Sequence, residues 1–93
     1  MEFEWDDARS DACFADRGFD FAYVVHAFLD EDRIIDEDRR WDYGEDRYRL
    51  LGAVEGRVFV VIYTMRHSRI RIISAGNANR REVREYERNT VDD

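Results

Sequence analysis

The stretch from Arg57 to Ala75 restricts the fold more than any other part of the chain. It reads Arg-Val-Phe-Val-Val-Ile-Tyr-Thr-Met-Arg-His-Ser-Arg-Ile-Arg-Ile-Ile-Ser-Ala. β-Branched and aromatic residues dominate, which favours strand over helix. At a period of two, Val58, Val60, Ile62 and Thr64 fall on one face. Phe59, Val61, Tyr63 and Met65 fall on the other. Both faces are apolar, so the strand is expected at the centre of a sheet, covered on both sides. Arg66-His67-Ser68 is a polar break, and Arg69 to Ser74 reads as the returning strand. On that strand Ile70, Ile72 and Ser74 are expected to share one face, with Arg69 and Arg71 on the other. Paired arginines on a core strand, with His67 in the turn before them, are the most suggestive chemistry in the sequence.

The neighbouring segments extend this into a meander. Tyr48 to Val54 is a strand, and Glu55-Gly56 is a two-residue connection of the hairpin type, with glycine supplying a positive φ. Arg33-Ile34-Ile35 offers a short edge strand. Met1 to Trp5 alternates acid and aromatic and reads as a further short strand. Asp6 or Asp7 then caps a first helix that Gly18 ends, with Trp5, Ala8, Ala12 and Ala15 on its inner face and Cys13 and Phe14 beside it. Asp20 opens a second helix, in which Phe21, Val24, Val25 and Phe28 form a core stripe. Trp41 and Tyr43 are expected to fold back onto the sheet. After a break at Gly76 to Asn79, Asn79 and Glu82 have capping-box spacing, and a last helix runs from about Arg80 to Asn89. Residues 90–93 are expected to fray. The predicted class is α+β: an antiparallel sheet of three main strands plus short N-terminal and edge strands, two N-terminal helices and one C-terminal helix. A single domain over residues 1–93 is expected.

Charge narrows the function classes. The net charge is −7, all 15 basic residues are arginine, and lysine and proline are absent. A net acidic domain is repelled by nucleic acid at long range, so contact with RNA needs a local arginine patch. Acids dominate up to Asp46 and arginines from Arg47 to Arg88, which predicts one basic face on an acidic body. No apolar run is long enough for a membrane span, and the N-terminus lacks a leader pattern, so a cytoplasmic location is the default expectation. The single Cys13 reads as a small buried side chain, and His26 as structural or surface. The acid-rich segment Asp30 to Asp38 reads as a solvated loop. Its spacing lacks the turn glycine and closing glutamate of a calcium loop, and no metal site is expected. A metal-dependent hydrolase built on that loop remains a third class, recognisable by loss of activity with a chelator.

Taken in order, these segments resemble the BrnT family, the toxin half of a bacterial type II toxin–antitoxin pair. The resemblance is carried by Phe3-Glu4-Trp5-Asp6, Gly18 with Phe21, Asp38-Arg39, Asp42-Tyr43-Gly44-Glu45 and Arg47. It continues through Gly52, Gly56-Arg57, Val61, Tyr63-Thr64, Arg66 and Arg71-Ile72-Ile73-Ser74-Ala75. It closes with Ala78, Arg80-Arg81-Glu82 and Tyr86. The chain departs from the family pattern at Asp16-Arg17, in place of Lys-His, and at Gly76-Asn77, in place of Arg-Lys. The resemblance implies a RelE-like fold and cleavage of RNA without metal or cofactor. It also implies a DNA-binding antitoxin, of the ribbon-helix-helix kind, that neutralises the toxin, with DNA reached only through the complex. A heterotetramer is implied, the antitoxin supplying the two-fold axis.

Such cleavage needs a base near the 2′-oxygen, cations for the phosphorane and an acid for the 5′-oxygen. Arg66 and Arg71 are the candidate catalytic cations, with Arg69, Arg80 and Arg81 binding RNA phosphate. His67 and Glu82 are the candidate proton-transfer groups. Each has a plainer reading, His67 as a solvated turn residue and Glu82 as the capping partner of Asn79. Arg69 and Arg71 have one too: pairing with the acids at Asp36 to Asp38. Two classes follow, an active ribonuclease toxin and a catalytically impaired binding module that keeps antitoxin binding and transcriptional autoregulation.

Overall fold

The computed structural model describes residues 1–90. In chain order it has β1 (Phe3–Trp5), α1 (Asp7–Arg17), α2 (Phe21–Val24) continuing as a 3₁₀ segment (Val25–Leu29), and β2 (Ile34–Glu37). Then come β3 (Tyr48–Val54), β4 (Arg57–Arg66), β5 (Arg69–Asn77) and α3 (Arg80–Thr90). The fold is α+β. Its five strands lie in the order β1-β5-β4-β3-β2, which puts β4 at the centre as its two apolar faces demand.

Local chemistry fixes the element ends. The Asp6 carboxylate accepts from the Ala8 amide at 2.8 Å, and Gly18 closes α1 at φ 86°. Asn79 and Glu82 exchange reciprocal side-chain-to-amide bonds at 2.8 and 2.9 Å, the capping box that opens α3. Both hairpins turn through two residues of positive φ. At Glu55-Gly56 the values are 51° and 81°, and at His67-Ser68 they are 52° and 69°. Positive φ at both central positions matches the twist of the flanking strands.

Strands β2 to β5 form the expected antiparallel meander, but β1 pairs in parallel with β5, Glu4 opposite Arg71. The sheet is therefore mixed. A bulge adds a second departure. Ile62 lies opposite Ser74 and Tyr63 opposite Ile72, so Ile73 is the extra residue. Ser74 is thereby turned away from Ile70 and Ile72 and joins the face of Ile62, and Ala75 enters the core instead.

One face of the sheet packs on α1, α2 and the 3₁₀ segment. Phe21, Val24, Phe59, Val61 and Ile72 are almost completely buried there. Phe59 meets Phe19 edge to face at 4.9 Å, and Phe28 meets Tyr63 at 5.2 Å. Helix and sheet approach so closely that a β-carbon at Gly52 would lie 2.6 Å from the Ala27 carbonyl oxygen, which accounts for the glycine. Helix α1 buries Ser10 and Cys13, whereas Ala8, Ala12 and Ala15 are exposed and Phe14 is 59% exposed. Its expected inner face is thus rotated, because the Ser10 hydroxyl accepts from the Phe21 amide at 3.0 Å and must face inward. Trp41 is 73% exposed rather than folded onto the sheet, and His26 is exposed.

The opposite face is covered by α3 along β3, and Ile62 and Thr64 of β4 are buried on it as well. Leu51 and Tyr86 are buried there. Tyr86 donates to the Asp30 carboxylate, which also accepts from the Ala53 amide at 2.7 Å. Val58 and Val60 remain half-buried, so the cover expected over the second face of β4 is incomplete. Thr90 belongs to α3, and the expectation of fraying at residues 91–93 lies outside the described residues.

Candidate nucleic-acid interface

The incompletely covered face carries the arginines. Alternation puts Arg66, Arg69 and Arg71 on it, beside Thr64, because Thr64 pairs with Arg71 and Arg66 with Arg69. The parallel pairing of β1 decides their partners. It sets Glu4 next to Arg71, with Arg71 Nη1 donating to Glu4 Oε2 at 3.2 Å, and Arg69 Nε donates to Glu2 Oε1 at 2.9 Å. Arg66 lies 3.4 Å from Glu45, which also takes Arg47 at 3.1 Å. The acids at Asp36 to Asp38 are not the partners of Arg69 and Arg71, because β3 and β4 stand between them.

The loop from Asp38 to Arg47 is built rather than solvated. Asp38 is 8% exposed, and its carboxylate accepts from Arg40 Nε and Nη2 at 2.8 and 2.9 Å and from the Tyr43 hydroxyl at 3.3 Å. The Arg40 fork holds the Asp38 carboxyl down at about 2. The Arg47 guanidinium lies 4.1 Å above the centre of the Tyr43 ring. Thr64 donates to the Asp46 carbonyl at 2.6 Å and ties the loop to β4. The acidic segment was thus only partly legible: an aspartate two residues before an arginine and five before a tyrosine is the signal for this knot.

Further along the same face lies an open groove of about 760 Å³, bounded by Arg17, Arg40, Arg49, Ser74, Gly76 and Glu82 among others. Arg49 is opposite Ile62, two residues along β4 from Thr64, so Arg49 stands roughly 7 Å further along the sheet and two strands across from Arg71. Arg49 donates to Asp36 and Glu85 at 2.8 Å each and lies 3.6 Å from Glu82. Arg40 and Arg49 were not singled out by the sequence, and Arg17 only as part of the Asp16-Arg17 departure from the family pattern, since nothing local reveals that α1, the loop and β3 meet here.

The expected site residues therefore divide. Arg66, Arg69 and Arg71 converge at one end of the face. His67 sits exposed at the tip of the hairpin that joins two of them. Glu82 lies at the groove, with one oxygen on the Asn79 amide and the other near Arg49. Arg80 and Arg81 are exposed at the start of α3 and have no carboxylate within 4.0 Å among the described residues. Cys13 is buried, its thiol pushed up by burial and donating to the Ala75 carbonyl at 3.7 Å, which fits a structural role. Among the described residues no three His, Cys, Asp or Glu side chains gather as a metal site, and no helix is long and apolar enough to cross a membrane.

In comparisons with known proteins, residues 5–82 match the model of a family described as the ribonuclease toxin, BrnT, of type II toxin-antitoxin systems. No curated protein matches the chain.

Proposed function

The chain belongs to the BrnT family of ribonuclease toxins of type II toxin–antitoxin systems, and on that premise we propose that it is an endoribonuclease that cuts RNA without a metal ion. The observation that supports this best is the convergence of Arg66, Arg69 and Arg71 on the open face of the sheet. Their carboxylate partners Glu2, Glu4 and Glu45 are themselves solvent-accessible. The Arg69–Glu2 pair is exposed and the pairs of Arg66 and Arg71 are half-exposed; an exposed pair contributes about 0–1 kcal/mol, so a phosphodiester can take the place of a glutamate at smallest cost on Arg69. Arginine then donates both arms of its fork to the phosphoryl oxygens.

In the proposed reaction the RNA 2′-hydroxyl loses its proton to a base and its oxygen attacks the adjacent phosphorus. Charge grows on the equatorial oxygens of the phosphorane, where Arg66 and Arg71 donate and Arg69 supports them. The bond from phosphorus to the 5′-oxygen breaks, an acid protonates that oxygen, and a 2′,3′-cyclic phosphate remains. His67, on the turn between Arg66 and Arg69, is the titratable group nearest in sequence to this cluster and takes the proton-transfer role. Glu82 holds Arg49 and the first turn of α3, and a proton-transfer role would require it to leave both. Arg80 and Arg81 hold neighbouring phosphates.

A type II toxin has a cognate antitoxin as partner. We take the antitoxin to be a ribbon-helix-helix protein that covers the arginine face, contacts DNA on behalf of the complex and forms the centre of a heterotetramer. The domain, residues 1–93, is proposed to act as one unit in the cytoplasm.

One observation favours the second reading, a binding module that has lost cleavage. Each arginine of the cluster already faces a carboxylate of its own chain, in a protein of net charge −7. An assay of purified protein on RNA in EDTA, at low and high salt and beside Arg71→Ala, separates the two. Cleavage by the unaltered protein and loss in the variant support the ribonuclease. Absence of cleavage together with tight antitoxin binding supports the module.

A further inference from the structure

The groove beside the arginine cluster has its own charge pattern. Four arginines line it, Arg17, Arg39, Arg40 and Arg49, with four carboxylates. Arg39 pairs with Glu37, Arg40 with Asp38, and Arg49 with Asp36 and Glu82. Those pairs consume every groove carboxylate. Among the described residues Arg17 has no carboxylate within 4.0 Å, although it comes from the opposite side of the sheet.

The route of Arg17 into the groove follows from the packing of α1. Cys13 is fixed on the Ala75 carbonyl, and Arg17, one turn later, falls beside the next residue of β5. Strand β1 pairs only with residues Ile70 to Ile72 of β5, so it leaves the edge beyond them uncovered. The Arg17 side chain passes over that edge. Its Nη1 comes within 3.8 Å of where a β-carbon on Gly76 would stand. The guanidinium thus lies at ordinary van der Waals distance from position 76, in the groove that Ser74 and Val60 also line.

We infer that Arg17 is a second phosphate-binding cation, which grips the RNA backbone in the groove one or more nucleotides from the phosphate held by Arg66 and Arg71. This rests on the ribonuclease reading of the neighbouring cluster. A phosphodiester entering the groove meets paired, neutralised groups everywhere except at Arg17. An acidic segment of a partner protein would meet the same single unpaired cation, and the binding measurements below separate it from RNA.

The test uses the full chain and a fluorescent single-stranded RNA 12-mer, 2′-O-methylated throughout so that it cannot be cut, with binding read by anisotropy across a salt series. Arg17→Ala is expected to weaken binding about tenfold and to lower the slope of log affinity against log salt by about 0.7, one phosphate contact on a single strand. The second variant, Arg17→Ala with Gly76→Arg, returns the cation from the strand instead of the helix. Position 76 has ordinary backbone geometry and no heavy atom closer than 3.8 Å to a new β-carbon, so a side chain can leave the strand there without backbone strain. Restored affinity and slope are expected, and a merely helix-capping role for Arg17 at the end of α1 would not be restored this way. Unchanged binding in Arg17→Ala overturns the inference while leaving the ribonuclease reading intact. So does a loss that Gly76→Arg fails to repair, and so does weakened antitoxin binding with unchanged RNA binding. No binding of the 12-mer by the unaltered protein, with Arg71→Ala equally inert, overturns the ribonuclease reading itself.

Discussion

The two faces of the sheet use different physics. The helix-covered face is held by interlocked aromatic rings, Phe19, Phe28, Phe59 and Tyr63. The other face is largely a mesh of arginine and carboxylate, with α3 crossing it over β3. Apolar burial is non-directional and permanent, whereas exposed ion pairs are weak and exchangeable. The comparison teaches that stability and ligand contact are assigned to opposite sides of the same strands. Residues next to each other on β4 should therefore differ sharply in what their loss does.

The largest effect is expected at Phe59, fully buried between the rings of Phe19 and Tyr23. Phe59→Ala should cost about 3–5 kcal/mol by urea denaturation, enough to unfold a marginal domain. The adjacent Val60→Ala, on the half-buried groove side, should cost roughly 1 kcal/mol or less. Equal costs would show that the groove face is as much a core as the other.

Arg71 tests the opposite assignment. Arg71→Ala should reduce RNA cleavage about 10²–10³-fold, the loss expected for a preorganised donor to developing negative charge. Its stability should change by less than about 1 kcal/mol, since only the pair with Glu4 is removed. A large loss of stability would mean that the β1–β5 contact depends on this pair, and the mesh would then be structural.

Asp38 is the exception within the mesh, because it is buried. Its carboxyl sits at about 2 against an ordinary 3.8, so the folded state prefers the ionised form. The stabilisation is present above about pH 4 and is lost as pH falls from there toward 2. Asp38→Asn should cost on the order of 1–2 kcal/mol at pH 7, and the difference from the unaltered protein should close below pH 2. A difference that persists at pH 2 would point to packing rather than charge.

The meander was legible because its signals are local. Alternation over Arg57 to Met65 and the Glu55-Gly56 turn need no distant partner to be read. The capping box at Asn79 and Glu82 was read for the same reason. What stayed hidden depends on long-range pairing. Ile70 to Ile73 reads equally well with or without a bulge, so the flip of Ser74 is invisible until β4 is in place. The pairing of Arg71 with Glu4 follows from a parallel contact between residues 67 positions apart. The arginine groups were expected as one cluster, and the sheet separates them into the Arg66–Arg71 end and the Arg80–Glu82 end. The sequence marks Arg17 only as a departure from the family pattern and does not place it in the groove, a position set by Cys13 docking on Ala75.

The smallest effect concerns His67, where the two readings of one residue can be separated. At φ 52° it occupies the left-handed region, which a histidine tolerates less well than an asparagine does. His67→Asn keeps a polar side chain and suits the turn, so it should raise stability by a few tenths of a kcal/mol to about 1. If His67 only closes the hairpin, cleavage should be unchanged and its pH profile should keep its shape. If it transfers the proton, cleavage should fall by about 10²-fold or more and the pH profile should change shape, although the protein is more stable. Because stability and activity are expected to move in opposite directions, a loss of cleavage in this variant cannot be blamed on unfolding. The turn between Arg66 and Arg69 would then belong to the functional face as surely as the arginines it joins.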